Sequence, residues 1–310
     1  MTIPKWIAEV RDLFPKETVQ RIQQHALERH QLTGLLDDPE SLREVEPSLP
    51  LLQALLALKD GAKPAVVNEI RRVVDAVVEE LTRRLASDVR RAFSGRIDRF
   101  RSSSLKVAQN FDARRTVREN LKRWDPHEKR LLVEAPRFFS RVRRELPWRV
   151  ILCVDQSGSM AASIVYAAVM AGIFAKLPAV RVHLVLFDTA VVDLSERVDD
   201  PTEVILGVQL GGGTNIGRAL RYCEGLVEDP RRTVLILVSD FEEGASARTL
   251  MAVTARLASE GVRLLGLAAL DDRGTPFFDH AMAERLAAVG MEVAAVTPKQ
   301  LGEWLAQVIR

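Results

Sequence analysis

Residues 148–160 read WRVILCVDQSGSM, a nearly unbroken apolar run that ends in a short loop rich in acidic and hydroxyl side chains. An apolar run of this length is typical of a strand that is buried on both faces of a parallel sheet. Five further runs of this kind follow along the chain: Val180–Phe187, Val191–Leu194, Thr233–Val238, Val262–Ala269 and Met291–Val296. Helical stretches separate most of them, and this alternation predicts a doubly wound, Rossmann-like α/β domain with a six-stranded, mostly parallel sheet.

One pair of these strands has to be antiparallel. Val191–Leu194 follows Val180–Phe187 after a tight turn at Asp188 and Thr189. A parallel connection needs a crossover of about a dozen residues or more, and this turn is far shorter. We therefore expect one antiparallel strand at an edge of the sheet.

In the first part of the chain apolar residues recur at the spacing of an α-helix instead. From Pro64 to Phe93 apolar residues recur at helical spacing, with a proline suited to the first turn and with Gly95 as a stop. Shorter helical patterns cover Lys5–Leu13, Lys16–His30 and Leu51–Leu58. These patterns predict an all-α N-terminal domain ahead of the α/β domain.

A basic segment joins the two parts. Between Arg90 and Arg149 basic residues outnumber acidic ones, and the segment contains loop-like sequence at Arg101–Ser104 and an Asp-Pro break at Asp125. We expect some of it to wrap the α/β domain. The predicted division is a helical domain at 1–95, a basic linking and wrapping segment at 96–147, and an α/β domain at 148–310.

The composition narrows the class of protein. The net charge is +2, and no apolar run reaches the roughly 18 residues that a membrane-spanning helix needs. Charges near the N-terminus interrupt the apolar stretch that a signal peptide requires, so we expect a cytoplasmic protein without a membrane span. Cys153 and Cys223 lie inside apolar runs, where we expect two small buried thiols.

The informative polar residues follow the ends of predicted strands, where open parallel sheets bind their ligands. The candidate ligands are two carboxylates and three hydroxyls from three loops: Asp155, Ser157, Ser159, Thr214 and Asp240. An all-oxygen set selects Mg²⁺, with Mn²⁺ or Ca²⁺ as alternatives, over zinc. The first three ligands alternate along one loop, where we expect Gly158 to permit the tight bend. Two carboxylates are too few to fill the metal shell, so water or an acidic group from outside must complete it.

These residues resemble a known metal site. The pattern Asp155-x-Ser157-x-Ser159, with a distant Thr214 and Asp240, is similar to the metal-ion-dependent adhesion site of von Willebrand factor A (VWA) domains, including integrin inserted domains. The resemblance implies that Asp155 and both serines contact the metal directly or through water. It also implies that Thr214 joins the inner shell when a ligand is gripped, and that Asp240 acts through water.

More of the chain fits a narrower group. Residues 110–310, with DQSGSM, GGGTNI, SDFEEG and the lead-in DARRTVR at 112–118, resemble bacterial VWA proteins whose genes accompany MoxR-type AAA+ ATPases. CoxE-like accessory proteins of carbon monoxide dehydrogenase share this layout. The resemblance implies a non-enzymatic adaptor that grips an Asp or Glu of a protein partner through Mg²⁺. It further implies work with a MoxR-type ATPase in protein remodelling or metalloenzyme maturation.

Simpler interpretations compete at the same residues. Ser157 and Ser159 could be helix caps alone, although that leaves the distant threonine and aspartate unexplained. Glu242 and Glu243 are most simply solvated loop charges, and the sharper hypothesis is that one of them tunes or occludes the metal face. We expect Asp155→Ala to leave the fold intact, because the site is expected to be exposed.

Two other classes of function compete with the adaptor. Metal-assisted hydrolysis lacks a general base, because His183 and His280 lie outside the three loops. The basic segment 90–149 could contact nucleic acid, and Ro-type RNA-binding proteins also join a helical region to a VWA domain. Nucleic acid is the less favoured partner, because aromatic residues are widely spaced in the segment. A solvated face or an intramolecular clamp explains its charge more simply.

Overall fold

A computed structural model describes residues 42–43, 45–59, 63–93, 97–103, 106, 108–141, 148–177, 180–268 and 278–309. The helices predicted at Lys5–Leu13 and Lys16–His30 lie outside these residues. The chain divides into a larger compact unit, Met1–Ala92 with Pro147–Arg310, and a smaller one, Phe93–Leu146. The three-part domain division stays a prediction.

Within the described residues, the strands are β1 (Ile97–Ser103), β2 (Trp124–Asp125), β3 (Arg130–Leu131), β4 (Phe138–Arg141), β5 (Trp148–Asp155), β6 (Val180–Phe187), β7 (Val191–Asp193), β8 (Thr233–Ser239), β9 (Arg263–Ala268) and β10 (Met291–Ala294). The α-helices are α1 (Leu49–Leu58), α2 (Pro64–Phe93), α3 (Ala113–Asn120), α4 (Ala161–Ala175), α5 (Pro201–Gly207), α6 (Ile216–Gly225), α7 (Ala247–Glu260), α8 (His280–Ala288) and α9 (Pro298–Ile309). None of these helices is long and apolar enough to cross a membrane.

The larger unit is built on one six-stranded sheet. Its strand order is β10-β9-β8-β5-β6-β7. Neighbouring strands are parallel except β6 and β7, which are antiparallel at one edge. The predicted sheet with one reversed edge strand is therefore confirmed, and the strands end within about two residues of the predicted runs.

The centre of the sheet is the place where a ligand site is expected. The chain runs outward from β5 to β6 and β7, and then returns to continue at β8 on the other side of β5. Open α/β sheets bind ligands at such a switch point, outside the carboxyl ends of the strands. In the strand register Asp155 lies beside Phe187, and Val154 lies beside Val238. The loops after β5 and β8 therefore meet at this edge.

Helices cover both faces of the sheet. On one face, α6, α7 and α8 pack on apolar side chains of the central strands, and this core contains both cysteines. Cys153 and Cys223 are fully buried free thiols, as predicted, and burial raises the pKa of the Cys153 thiol. On the other face, α4 is apolar on nearly all sides and is largely buried. A helix of that composition is stable only inside a core.

The helical prediction for the N-terminal part is confirmed where the structure describes it. The predicted helix at Pro64–Phe93 is α2, and it buries an apolar stripe along one side. Helix α1 begins two residues before the predicted Leu51. The Ser48 side chain caps it by accepting from the Leu51 N–H, and Pro50 occupies its first turn.

The N-terminal helices are attached to α5 by polar contacts. Lys59 Nζ, at the end of α1, donates to the carbonyl oxygens of Leu206 (2.7 Å) and Val208 at the end of α5. Near the start of α5, the Thr202 hydroxyl donates to Asp75 of α2 (2.7 Å). A lysine on the last carbonyls of a helix satisfies groups that the helix itself cannot pair. This matters for the site, because α5 leads into the glycine-rich loop.

We expect Lys59→Met to destabilise the protein by about 1–2 kcal/mol, because it leaves two carbonyl groups without their charged donor. Denaturant unfolding of the full chain measures the change. Lys176→Met, at an exposed position after α4, is the matched control and should change stability by less than about 0.5 kcal/mol. Equal stability of the two variants would contradict a stabilising role for this contact.

The smaller unit contains a strand that the sequence did not reveal. Strand β1 pairs with β4 in antiparallel register, Ile97 beside Arg141 and Ser103 beside Phe138. The prediction of loop at Arg101–Ser104 is therefore wrong for Arg101–Ser103, because pairing with β4 overrides a sequence that lacks apolar alternation. The Asp-Pro break at Asp125 is a hairpin turn between β2 and β3.

Helix α3 of the smaller unit is anchored by polar side chains. Thr116 and Asn120 are its buried residues. The Thr116 hydroxyl accepts from the Arg137 N–H (2.9 Å), and the Asn120 amide oxygen accepts from the Glu134 N–H (3.0 Å). The side chain of Asp112 caps the helix by accepting from the N–H of residue 115. These bonds give Asp112 and Thr116 of the DARRTVR lead-in a structural role.

Candidate metal site

Asp155 ends β5 at the switch point and is fully buried. Its Oδ1 accepts from the N–H of Ser157 (2.9 Å), and its Oδ2 accepts from the hydroxyl of Ser239 (2.9 Å). Burial raises the pKa of the Asp155 carboxyl and the negative charge of Asp240 adds to the rise, while the hydrogen bonds oppose it. The expectation of an exposed site is therefore wrong for this side chain, because it ends a strand that lies between two others.

The Ser157 hydroxyl is the unusual group of the site. It lies close to the Asp155 carboxylate, yet its Oγ is buried and has no hydrogen-bond partner of normal geometry in the described part of the chain. A buried hydroxyl without a partner costs about 1–3 kcal/mol. Ser157 precedes the short 3₁₀ turn Gly158–Met160 but makes no side-chain cap there. A capping role therefore does not account for its hydroxyl.

Ser159 lies in that 3₁₀ turn. Its backbone is on the same loop as Asp155 and Ser157, and its side chain is outside the described atoms. The structure thus places Ser159 at the correct edge of the sheet. Its role as a ligand stays a prediction.

Ser239 belongs to the candidate site, although the sequence did not reveal it. Its fully buried hydroxyl donates to Asp155 and accepts from the N–H of Phe241 (3.1 Å). It therefore joins the loop after β8 to the carboxylate at the end of β5. The available signal was a lone hydroxyl at the end of a strand that is otherwise apolar, directly before a candidate ligand.

Asp240 follows β8 and is nearly buried. The next residue, Phe241, has a φ of 61°, a left-handed backbone conformation that residues other than glycine rarely adopt. Its fully buried ring packs edge-to-face on Phe278, and the carbonyl of Asp240 accepts from the N–H of Asp279 (2.8 Å). Packing thus holds a strained bend directly after a candidate ligand, as is common at functional sites.

The loop Gly211–Asn215 carries Thr214 and is bonded to two neighbouring loops. Its first two glycines have φ values of 133° and 90°, which favour glycine. The N–H of Gly211 donates to the carbonyl of Gln156 (3.2 Å), and the N–H of Gly244 donates to the carbonyl of Thr214 (2.9 Å). This loop is therefore tied to the loop after β5 and to the loop after β8.

The three loops meet at one edge of the sheet, and their chemistry fits a hard cation. Among the described residues no group of three or more His, Cys, Asp or Glu side chains could hold a metal. Any cation here would depend on hydroxyl oxygens as well as on the two carboxylates, Asp155 and Asp240. The unpartnered oxygen of Ser157 and the carboxylate beside it are groups that Mg²⁺ prefers. The residues present therefore fit the predicted ion.

Comparison with known proteins identifies the family. A family model of VWA domain containing CoxE-like proteins matches residues 85–305. The chain belongs to this CoxE-like VWA family. The uncharacterized protein YehP of Escherichia coli strain K12 is 44% identical to it over 308 residues, which cover 99% of this chain and 82% of YehP. The resemblance seen in the sequence is thus confirmed at the level of the family.

Solved structures show weaker likeness. An aerotolerance-related membrane protein from Bacteroides fragilis aligns with a TM-score of 0.41 and 14% identity, over 52% of this chain and 98% of that chain. A von Willebrand factor type A protein from Catenulispora acidiphila aligns with a TM-score of 0.40 and 15% identity, over 56% of this chain and 43% of that chain. Membership of the CoxE-like VWA family rests on the sequence match.

Two glycines of this VWA domain have unequal roles. Gly158 has no positive φ, and a Cβ added there would meet nothing within 4 Å. Gly158 was expected to permit a tight bend, but its φ does not favour glycine and the 3₁₀ turn has room for a Cβ. A Cβ on Gly244 would lie 2.8 Å from the backbone oxygen of Thr214. Glycine is therefore required beside the threonine loop instead.

We expect Gly244→Ala to lower the Mg²⁺ affinity of the VWA domain by roughly tenfold or more, because the added methyl group must displace the Thr214 backbone. Isothermal titration with MgCl₂ measures the affinity. Gly158→Ala is the matched control, in the same site but with open space, and should bind Mg²⁺ as the wild type does. Equal affinity of both variants would show that the position of Thr214 does not matter for the metal.

The Glu243 carboxylate is already engaged by backbone. Its Oε2 accepts from the N–H of Gly217 (3.2 Å), and its Oε1 accepts from the N–H of Ala245 (3.1 Å). It thereby caps the first turn of α6 and closes its own loop, which favours the structural interpretation of this residue. The side chain of Glu242 is exposed. If either glutamate influences the metal face, Glu242 is the better candidate.

Proposed function

We propose that this CoxE-like VWA protein is a metal-dependent protein-binding adaptor. A divalent cation, with Mg²⁺ favoured over Mn²⁺ or Ca²⁺, would be held by Asp155, Ser157, Ser159, Thr214 and Asp240. The observation that carries the proposal is the buried Ser157 hydroxyl, which lies beside a buried carboxylate and has no hydrogen-bond partner of normal geometry among the described residues. A bound cation gives that oxygen a partner and neutralises the carboxylates.

The residues of the site prepare it for an outside acidic group. Asp155 is fixed by the Ser157 N–H and the Ser239 hydroxyl, so that its charge is held at one place. Asp240 is followed by the strained bend that packing of Phe241 maintains. When bound, the cation supplies a positive centre that can accept a carboxylate of a partner. Two carboxylates leave such a shell incomplete, and this favours recognition of an Asp or Glu.

We infer a binding function and not an enzymatic one. His183 lies on β6 beside Ile151, four positions before Asp155 on β5. At about 3.3 Å per residue this is roughly 13 Å from the site, too far for a general base. His183 is therefore not placed to activate water at the predicted ligands, and the His280 ring is packed on Phe278.

The partner class follows from the family. CoxE-like VWA membership, together with the resemblance to proteins encoded beside MoxR-type AAA+ ATPases, supports such an ATPase as one partner. The adaptor would direct the ATPase onto a client in protein remodelling or metalloenzyme maturation. The client or the ATPase would supply the acidic residue, and the action would take place in the cytoplasm.

Affinity capture from an extract of the native cells tests the proposal. The samples are wild type in Mg²⁺, wild type in EDTA, Asp155→Asn in Mg²⁺, and the matched control Asp199→Asn, which changes an exposed aspartate ahead of α5. We expect an AAA+ ATPase or a discrete client to be captured by wild type and control in Mg²⁺ and lost in the other two samples. Equal capture in all four samples would exclude the metal as the bridge.

RNA binding of the Ro type through the basic segment remains the alternative from another class. Four of its arginines, at 115, 123, 130 and 137, form ion pairs with glutamates of the same segment. This reduces the charge available to phosphates and disfavours the alternative. Capture of nuclease-sensitive RNA that is insensitive to EDTA would support it.

A further inference from the structure

The smaller unit exposes apolar side chains in an unusual concentration. Of the nine large apolar side chains that are exposed among the described residues, six lie between Phe111 and Val133. Five of these form what we name the 117–133 surface, and each is 46–57% exposed: Val117, Leu121, Trp124, Leu132 and Val133. The hairpin keeps Trp124 close to Leu132 and Val133 along the backbone, because the N–H of Leu132 donates to the carbonyl of Arg123 (3.3 Å). Clustered apolar exposure of this kind marks interaction sites.

Helix α3 buries polar side chains and exposes apolar ones, which is the reverse of an ordinary surface helix. Its buried face consists of Thr116 and Asn120, and the amide of Asn120 is satisfied by backbone groups of the helix and of residues 134–135. Its apolar residues Val117 and Leu121, the latter at its C-terminal end, are exposed. A helix normally turns its apolar face inward. The outward apolar face of α3 therefore serves a contact other than the core of this unit.

Positive charge exceeds negative charge in the sequence around this face. Between Asp112 and Arg137 the sequence has eight basic and five acidic side chains. All five acids are engaged: Asp112 and Asp125 accept from backbone N–H groups, and Glu119, Glu128 and Glu134 pair with arginines. The four remaining cations have no ion pair among the described residues: Arg114, Arg118, Lys122 and Lys129. The surface is thus apolar with a positive border.

The spacing of these residues indicates the shape of what it binds. Arg114, Val117, Arg118 and Leu121 lie at i, i+3, i+4 and i+7, which places them on one side of α3. Each apolar position is flanked by a cation without an ion pair. A complementary helix would present apolar residues at the same spacing, bordered by Asp or Glu.

We propose that the 117–133 surface docks an acidic amphipathic helix of a protein partner. Trp124 is the one aromatic member of this surface, and the other four members are aliphatic. Nucleic-acid bases stack on aromatic rings, so an aliphatic surface favours a protein partner. The site lies in the smaller unit and contains none of the predicted metal ligands. The proposal therefore does not depend on the metal site.

Fluorescence anisotropy with the full chain tests the proposal. One probe is a labelled helical peptide of roughly three heptads, with leucines at i, i+3, i+4 and i+7 flanked by glutamates. The second probe replaces the glutamates with lysines. We expect the glutamate peptide to bind roughly tenfold more tightly or better, and to weaken as NaCl rises from about 0.1 to about 0.5 M. EDTA and Asp155→Asn should change nothing, which separates this result from the fate of the metal proposal.

Variants locate the binding. Val117→Ser with Leu121→Ser should weaken the glutamate peptide by roughly tenfold or more. Arg118→Glu should reduce the preference for glutamate over lysine. Val192→Ser, an exposed valine of β7 in the larger unit, is the matched control and should bind as wild type does. Circular dichroism melts confirm that each variant is folded.

Three results would overturn the proposal. These are equal binding of the two peptides, binding that survives the double serine variant, and stronger binding of poly(U) RNA or of phosphatidylserine vesicles that the same variant removes. The last result would assign the surface to nucleic acid or to a lipid headgroup, according to the probe that binds.

Discussion

Asp155→Asn is expected to abolish the stabilisation of this protein by Mg²⁺ while preserving its fold. Asn has nearly the size of Asp and keeps one oxygen to accept from the Ser157 N–H, but it carries no charge for a cation. With Mg²⁺ at about 100 times its Kd, the wild type should gain about 2.7 kcal/mol. For a chain of this size that raises the melting temperature by roughly 5 °C, and the variant should show no shift.

Thermal melts in MgCl₂ and in EDTA measure this difference, with Asp199→Asn as the control that should retain the full shift. In EDTA the Asn variant should be at least as stable as the wild type, because it removes a buried carboxylate whose pKa is raised by burial. Asp155→Ala is the poorer test, because it leaves the donors of Ser157 and Ser239 without an acceptor. A variant that keeps the Mg²⁺ shift would remove Asp155 from the ligands, and one that unfolds in EDTA would make its role structural.

Ser157→Ala and Ser239→Ala should change the stability of the metal-free protein in opposite directions. The Ser157 hydroxyl is buried and has no partner of normal geometry in the part of the chain that the structure describes, so its removal should stabilise the protein by about 1 kcal/mol. The Ser239 hydroxyl donates to Asp155 and accepts from the Phe241 N–H, so its removal should cost about 1–3 kcal/mol. Substitution of these two serines of one site is thus expected to change the stability in opposite directions.

Denaturant unfolding in EDTA measures the stability of both variants without metal. The same measurement in MgCl₂ gives their response to Mg²⁺. Ser157→Ala should lose most of the response to Mg²⁺, although it is the more stable variant without metal. Ser239→Ala should retain part of that response, because Ser239 positions a predicted ligand and is not one itself. If both variants lose equal stability in EDTA, the Ser157 hydroxyl has a partner and the main support for the metal site fails.

The strands and the antiparallel edge pair could be predicted because the signal is local. Runs of Val, Ile and Leu such as Val180–Phe187 are long enough to be strands and apolar enough to be buried on both faces. The short turn before Val191 fixed one antiparallel pair. The prediction failed at Arg101–Ser103, which forms a strand only because β4 is available to pair with it.

The residues of the candidate site could be predicted from the sequence, but their hydrogen-bond partners and the space around them could not. Ser239 was missed because a single serine in an apolar strand has no distinctive local pattern. Its partner Asp155 lies 84 positions away along the chain. Gly158 was assigned a role that belongs to Gly244, because space around a glycine depends on which backbone lies opposite it.

By itself the sequence indicated the fold class, the resemblance to the CoxE-like VWA family and five oxygen ligands as candidates, since these depend on residue types in short motifs at the ends of predicted strands. Only the tertiary structure decided that Asp155 is buried, that the Ser157 hydroxyl has no partner of normal geometry among the described residues, and that α3 turns its apolar residues outward. The physical reason is that burial and hydrogen bonding depend on groups from distant parts of the chain. Local sequence does not specify which of those groups will lie alongside.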